Sequence, residues 1–92
     1  MAGISFSLPE TVIVTGASSG LGKSLCRLLA ANGADTIGVD IAVAPPDLAG
    51  LKGYSHIAGD VAGEAVWADV TAQVKKRNPK SLGLATIPRP KW

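Results

Sequence analysis

The sequence predicts an α/β fold in which a parallel β-sheet carries helices on its faces. Three observations lead there. Residues 11–15, TVIVT, form a continuous β-branched run without polar alternation, the pattern of a strand buried on both faces. A glycine-rich turn follows at once and opens a helical apolar period. Beyond it, strand-like and helix-like segments alternate in the order β-α-β-loop-β-α-β, as a sheet with crossover connections requires.

Each element has its own signal. After the first strand, LGKSLCRLLAANG reads as a helix, with Leu21, Leu25, Leu28 and Leu29 expected to form one apolar stripe and Gly33 to stop it. A second strand, DTIGVD, spans residues 35–40. The next segment, IAVAPPDLAGLKG, contains two adjacent prolines and is expected to be a loop with at most one helical turn. YSHIAG, residues 54–59, is a third strand of weaker propensity. Residues 63–77 form a second helix, with Val66, Val70 and Val74 on one face and Trp67 packing beside them. Lys75, Lys76 and Arg77 read as a solvated last turn that suits the helix dipole, and Asn78-Pro79 ends it. SLGLA, residues 81–85, is a fourth strand.

Composition excludes several classes. The 92 residues allow one small domain, and 47% apolar content is that of a globular chain. Nine basic against seven acidic side chains lack the dense positive stripe of a nucleic-acid binder. Cys26 is the single cysteine, which excludes an internal disulfide and is expected to be a small core residue. The opening MAGISFSLPE has neither a basic region nor a sustained apolar run, so no signal peptide or membrane span is expected, and the default location is cytoplasmic. His56, the one histidine, is expected to be structural.

The chemistry-bearing stretch is VIVTGASSGLGKSL, residues 12–25, which fits two patterns. Residues 17–24 nearly match the phosphate loop G-x-x-x-x-G-K-[ST], with Ala17 in the first glycine's place, Lys23 for a phosphate and Ser24 for magnesium. Gly16, Gly20 and Gly22 instead make a dinucleotide-binding turn. Three features favour the second. Gly16 follows the strand directly. Asp40 closes the next strand 18 residues after Gly22, near the ~20-residue spacing at which an acid reaches ribose hydroxyls. Asp60-Val61 closes the third strand at the same end of a parallel sheet, where ligands bind. In this reading Gly16 permits the bend, Gly20 lets backbone approach the pyrophosphate, and Gly22 allows close helix packing. Asp60 also has a second reading, as a cap for the following helix.

Thr15-Gly16-Ala17-Ser18-Ser19-Gly20-Leu21-Gly22, followed by Asp40 and Asp60-Val61, resembles the N-terminal half of the short-chain dehydrogenase/reductase family. The resemblance implies a Rossmann-type sheet in the order 3-2-1-4, a half-domain over residues 1–85 and an unmatched, irregular tail over 86–92. It implies that Gly16, Ser18, Ser19, Gly20 and Leu21 line the pyrophosphate and adenosine ribose, that Asp40 holds the ribose hydroxyls, and that Asp60 and Val61 meet the adenine. A carboxylate at Asp40 repels a 2′-phosphate, so the expected cofactor is NAD rather than NADP. The implied reaction is reversible hydride transfer between the nicotinamide and a small-molecule alcohol or carbonyl.

The family's catalytic Tyr-x-x-x-Lys is not in this sequence: the fourth residue after Tyr54, the only tyrosine, is Ala58. No catalytic residue is assigned, and these 92 residues alone are expected to be inactive. A non-catalytic NAD-binding fragment or degenerate member is the first alternative, and a phosphate-loop protein the second. The fourth strand is expected to leave an unpaired edge, which favours self-association into a homo-oligomer. Neither nucleic acid nor membrane is expected as a partner.

Overall fold

The computed structural model describes residues 9–86; the expectations for residues 1–8 and for most of the tail lie outside the described residues. Four strands, β1 (Thr11–Thr15), β2 (Asp35–Asp40), β3 (Tyr54–Ala58) and β4 (Leu82–Thr86), alternate with three helices, α1 (Gly20–Ala31), α2 (Pro46–Ala49) and α3 (Glu64–Arg77). The strands form one parallel sheet in the order β3-β2-β1-β4. This is the expected Rossmann-like half. The winding reverses at β1, which lies between β2 and β4, and such a reversal opens a crevice at the carboxyl ends of the strands.

The pleat of β1 divides the core. Val12 and Val14 face α1 and α2 and pack with Ala17, Cys26, Leu29, Ala34 and Leu48. Ile13 faces the opposite way and joins Ile37, Val39, Val66 and Val70 beneath α3. All five residues of β1 are buried, as a central parallel strand requires.

Helix α1 corrects one expectation. Its buried residues are Gly22, Cys26 and Leu29, whereas Leu21 and Leu28 are 68% and 61% exposed. Successive helical residues lie about 100° apart, so a face centred on Leu21 and Leu28 and one centred on Gly22 and Cys26 both satisfy the helical period. The sheet takes the second flank, so Leu25 and Leu29 of the expected stripe pack inward beside Cys26, and Gly22 lets the helix start close against the turn. Gly33 does terminate α1, with φ 89°. Its amide donates to Ala30 and that of Ala34 to Leu29, the paired bonds of a Schellman ending. The expected single helical turn after β2 is α2, led by Pro45-Pro46.

Helix α3 presents Val66, Val70 and Val74 to the sheet as expected, and ends in Asn78 at φ 46° before Pro79. Two expectations on it change. Trp67 lies at the rim, where its indole Nε1 donates to the Val61 carbonyl at 2.6 Å. Arg77 does not belong to a solvated end: its guanidinium pairs with Asp35 and donates to Ser55 Oγ, the Gln73 carbonyl and Gln73 Oε1. These bonds fasten the end of α3 to the starts of β2 and β3.

Among the described residues, strand β4 is an edge of the sheet. Leu82 and Leu84 stand in register with Thr11 and Ile13, share the α3 face, and are 50% and 61% exposed because α3 packs farther along the sheet. It extends one residue into the segment expected to be irregular.

Candidate dinucleotide site

The site is built at the carboxyl ends of β1, β2 and β3. Gly16 leaves β1 at φ 73°, a left-handed conformation that glycine adopts without steric cost, and its amide donates to Val39 of β2 at 2.9 Å. The chain thus turns sharply while remaining tied to the neighbouring strand. Ser19 then caps α1: its hydroxyl donates to the Gly16 carbonyl at 2.8 Å and accepts from the Gly22 amide at 3.0 Å.

The three glycines of the turn have separable physical reasons. Gly16 serves a positive φ. Gly22 serves close packing, since a Cβ there would overlap the carbonyl of Gly16. Gly20 serves neither: a Cβ would meet nothing within 4 Å, and its backbone angle is not left-handed. It is the first residue of α1, with open space beside it.

Asp40, at the end of β2, is 3% exposed. Its Oδ2 accepts from the Ser18 amide at 3.1 Å and its Oδ1 from the Ala42 amide at 3.0 Å. The acid called from sequence spacing is therefore joined directly to the glycine turn. Ser18 Oγ reaches the Val43 carbonyl at 3.4 Å, so the turn and the loop after β2 meet beside the carboxylate. Ile41 and Val43 are 60% and 79% exposed and give this loop an apolar outer surface.

Asp60 and Val61 follow β3. Gly59 donates to the Asp40 carbonyl at 2.8 Å, which brings the β3 exit beside the β2 exit. Asp60 is exposed and accepts from Ala62 through Oδ1 and from Gly63 through its carbonyl. It shapes the turn before α3 but does not cap the helix, because the capping position is Gly63. Leu21 and Val61 are exposed, and Gly16, Ser18 and Ser19 partly so. The structure thus gathers Gly16, Ser18, Ser19, Gly20, Leu21, Gly22 and Asp40 around one turn, with Asp60 and Val61 on the adjoining loop.

Sequence reasoning missed the polar group next to this site. The Tyr54 hydroxyl lies 2.6 Å from His56 Nδ1, and His56 Nε2 lies 2.9 Å from the Ala42 carbonyl. The signal was present as alternate residues on one strand, Tyr54 and His56, whose side chains share a face. Burial, with smaller contributions from the Cys26 and Asp40 charges, pushes the Tyr54 hydroxyl well above the usual phenol range. Burial also pushes the Cys26 thiol up to about 11, consistent with an inert core cysteine. Lys23 Nζ pairs with Asp47 of α2 at 3.1 Å, which turns the cation of the phosphate-loop pattern toward a carboxylate. Among the described residues, no group of three or more His, Cys, Asp or Glu could hold a metal ion, and no helix is long and apolar enough to cross a membrane.

Comparison with known proteins agrees with this geometry. Residues 10–84 match the short chain dehydrogenase family. A curated relative, the "Short chain dehydrogenase ausX" of Penicillium brasilianum, is 39% identical over 52 residues. That alignment spans 56% of this chain and 20% of the relative, so the chain corresponds to a minor part of the relative's length. From its sheet order, its glycine turn and this match over most of its length, the chain belongs to the short-chain dehydrogenase family.

Proposed function

We propose that this chain is the cofactor-binding part of an NAD-dependent oxidoreductase that interconverts an alcohol and a carbonyl. Gly20 carries the reading. Glycine is a weaker helix former than alanine, and here no positive φ and no internal contact requires it. A ligand that approaches the backbone supplies the missing reason. The first-turn amides of Gly20 and Leu21 have no acceptor within α1, and a helix N-terminus of this kind favours a phosphate.

Gly16, Ser18, Ser19, Gly20, Leu21 and Gly22 would hold the pyrophosphate side, Asp40 the ribose hydroxyls, and Asp60 with Val61 the adenine. When bound, the nicotinamide accepts or donates the hydride. The carboxylate of Asp40 favours NAD, since a 2′-phosphate would meet like charge there. A cytoplasmic location, a homo-oligomeric state and a small alcohol or carbonyl substrate belong to the same reading.

The test is titration of the 92-residue chain with NADH and NADPH, followed by nicotinamide fluorescence. Gly20→Ala is expected to weaken NADH binding about tenfold, equivalent to ~1.4 kcal/mol, while the chain stays folded. Asp40→Ala is expected to weaken NADH and to narrow its advantage over NADPH. The ratio of the two affinities, measured on one sample, is insensitive to the fraction folded. Unchanged affinity for both cofactors in Asp40→Ala would overturn the ribose assignment.

A further inference from the structure

On the reading of Asp40 as the ribose-binding acid, the geometry points to His56 as a positioning residue that sets the preference for NAD over NADP. The Ala42 carbonyl can only accept, so His56 Nε2 carries a proton and donates to it at 2.9 Å. In the neutral ring Nδ1 is then the bare nitrogen, and it accepts from the Tyr54 hydroxyl at 2.6 Å. Residue 42 is consequently held on both sides: His56 holds its carbonyl, and its own amide donates to Asp40 Oδ1 at 3.0 Å. Asp40 is gripped from the other side by the Ser18 amide.

A third strand residue makes room for this arrangement. A Cβ on Gly38 of β2 would overlap the Tyr54 hydroxyl, so the glycine in the middle of that strand admits the hydroxyl that orients His56. Gly38 pairs with His56 in the parallel register, which places both parts of the device at one level of the sheet.

The consequence is directional. While His56 holds residue 42, the Ala42 amide is spent on the carboxylate, and the loop offers that amide to no incoming phosphate. Released, the loop can turn the amide outward, where it would stabilise a 2′-phosphate, and Asp40 loses one of the donors that fix it. His56 thus favours NAD without touching the cofactor.

The experiment compares the unmutated 92-residue chain with His56→Ala and His56→Gln, using NADH and NADPH as probes. Nitrogen–proton correlation spectra of the same samples without cofactor provide a second readout. His56→Ala is expected to reduce the NADH-over-NADPH preference about fivefold, on the scale of one net hydrogen bond. It should also shift the Ala42 and Ser18 amide resonances while those of Ile13 and Val14 stay in place. His56→Gln, whose amide both donates and accepts, should return the preference and the resonances toward the original. Preserved NADH binding with an unchanged cofactor ratio in His56→Ala would overturn the inference alone. Failure of the unmutated chain to bind NADH would overturn the dinucleotide reading and this inference with it.

Discussion

The glycine turn allows a sharp test, because two of its glycines should respond oppositely to the same added methyl group. In Gly22→Ala the Cβ would stand 2.8 Å from the carbonyl carbon of Gly16 and 3.0 Å from Ser19 Oγ, and inside contact distance of the Gly16 oxygen. The first of these atoms is backbone, fixed by the Gly16 amide bond to Val39, so α1 has to move away from β1. Overpacking of this kind costs about 1–3 kcal/mol. Displacement of the helix start also breaks the Ser19 cap, worth about 1 kcal/mol. The expected loss is about 2–4 kcal/mol, or on the order of 10–30 °C in Tm for a chain of this size. Gly20→Ala meets open space, and its helix-propensity gain of at most about 1 kcal/mol leaves stability unchanged or slightly raised. Urea denaturation followed by far-ultraviolet circular dichroism measures both. A Gly22→Ala midpoint equal to that of the unmutated chain would refute the packing argument, and equal losses in both variants would refute the division of labour between the two glycines.

Other consequences are smaller. Arg77→Ala should cost about 1–2 kcal/mol in thermal unfolding, because Asp35, Ser55 and Gln73 lose a shared partner at a partly solvated site. Arg77→Lys should recover less than half of it, since an ammonium cannot reproduce the forked geometry. The raised thiol of Cys26 makes stability fall with rising pH. The unfolded chain releases that proton near 9.0 and the folded chain near 11, so on the order of 3 kcal/mol disappears across that interval. The raised Tyr54 hydroxyl acts in the same direction. Denaturation midpoints between pH 8 and 11 check this, and Cys26→Ser should flatten the lower part of the decline. Lys23→Ala should cost less than about 1 kcal/mol, as expected for a solvated ion pair with Asp47, and should leave NADH binding intact. Magnesium-dependent ATP binding abolished by this change would favour the phosphate-loop alternative instead.

The sequence by itself determined the elements and their order, because the signals are local. A β-branched run, a glycine that permits a sharp turn and an Asn-Pro ending each act within a few residues. It also determined where the candidate site lies, since in a parallel sheet the ends of successive strands share one side, and Asp40 is there joined to Ser18. Only the tertiary structure decided which side chains meet. A face centred on Leu21 and Leu28 and one centred on Gly22 and Cys26 both fit a helical period on α1, and contact with the sheet chose the second, with Leu29. Arg77 reads as one more cation at a helix end until β2 and β3 bring Asp35 and Ser55 to it. Tyr54, His56 and Ala42 are joined only when β3 lies against β2, with Gly38 leaving the space. Periodicity specifies that a residue is buried or paired; the partner is fixed by strand order and register, which no local pattern contains.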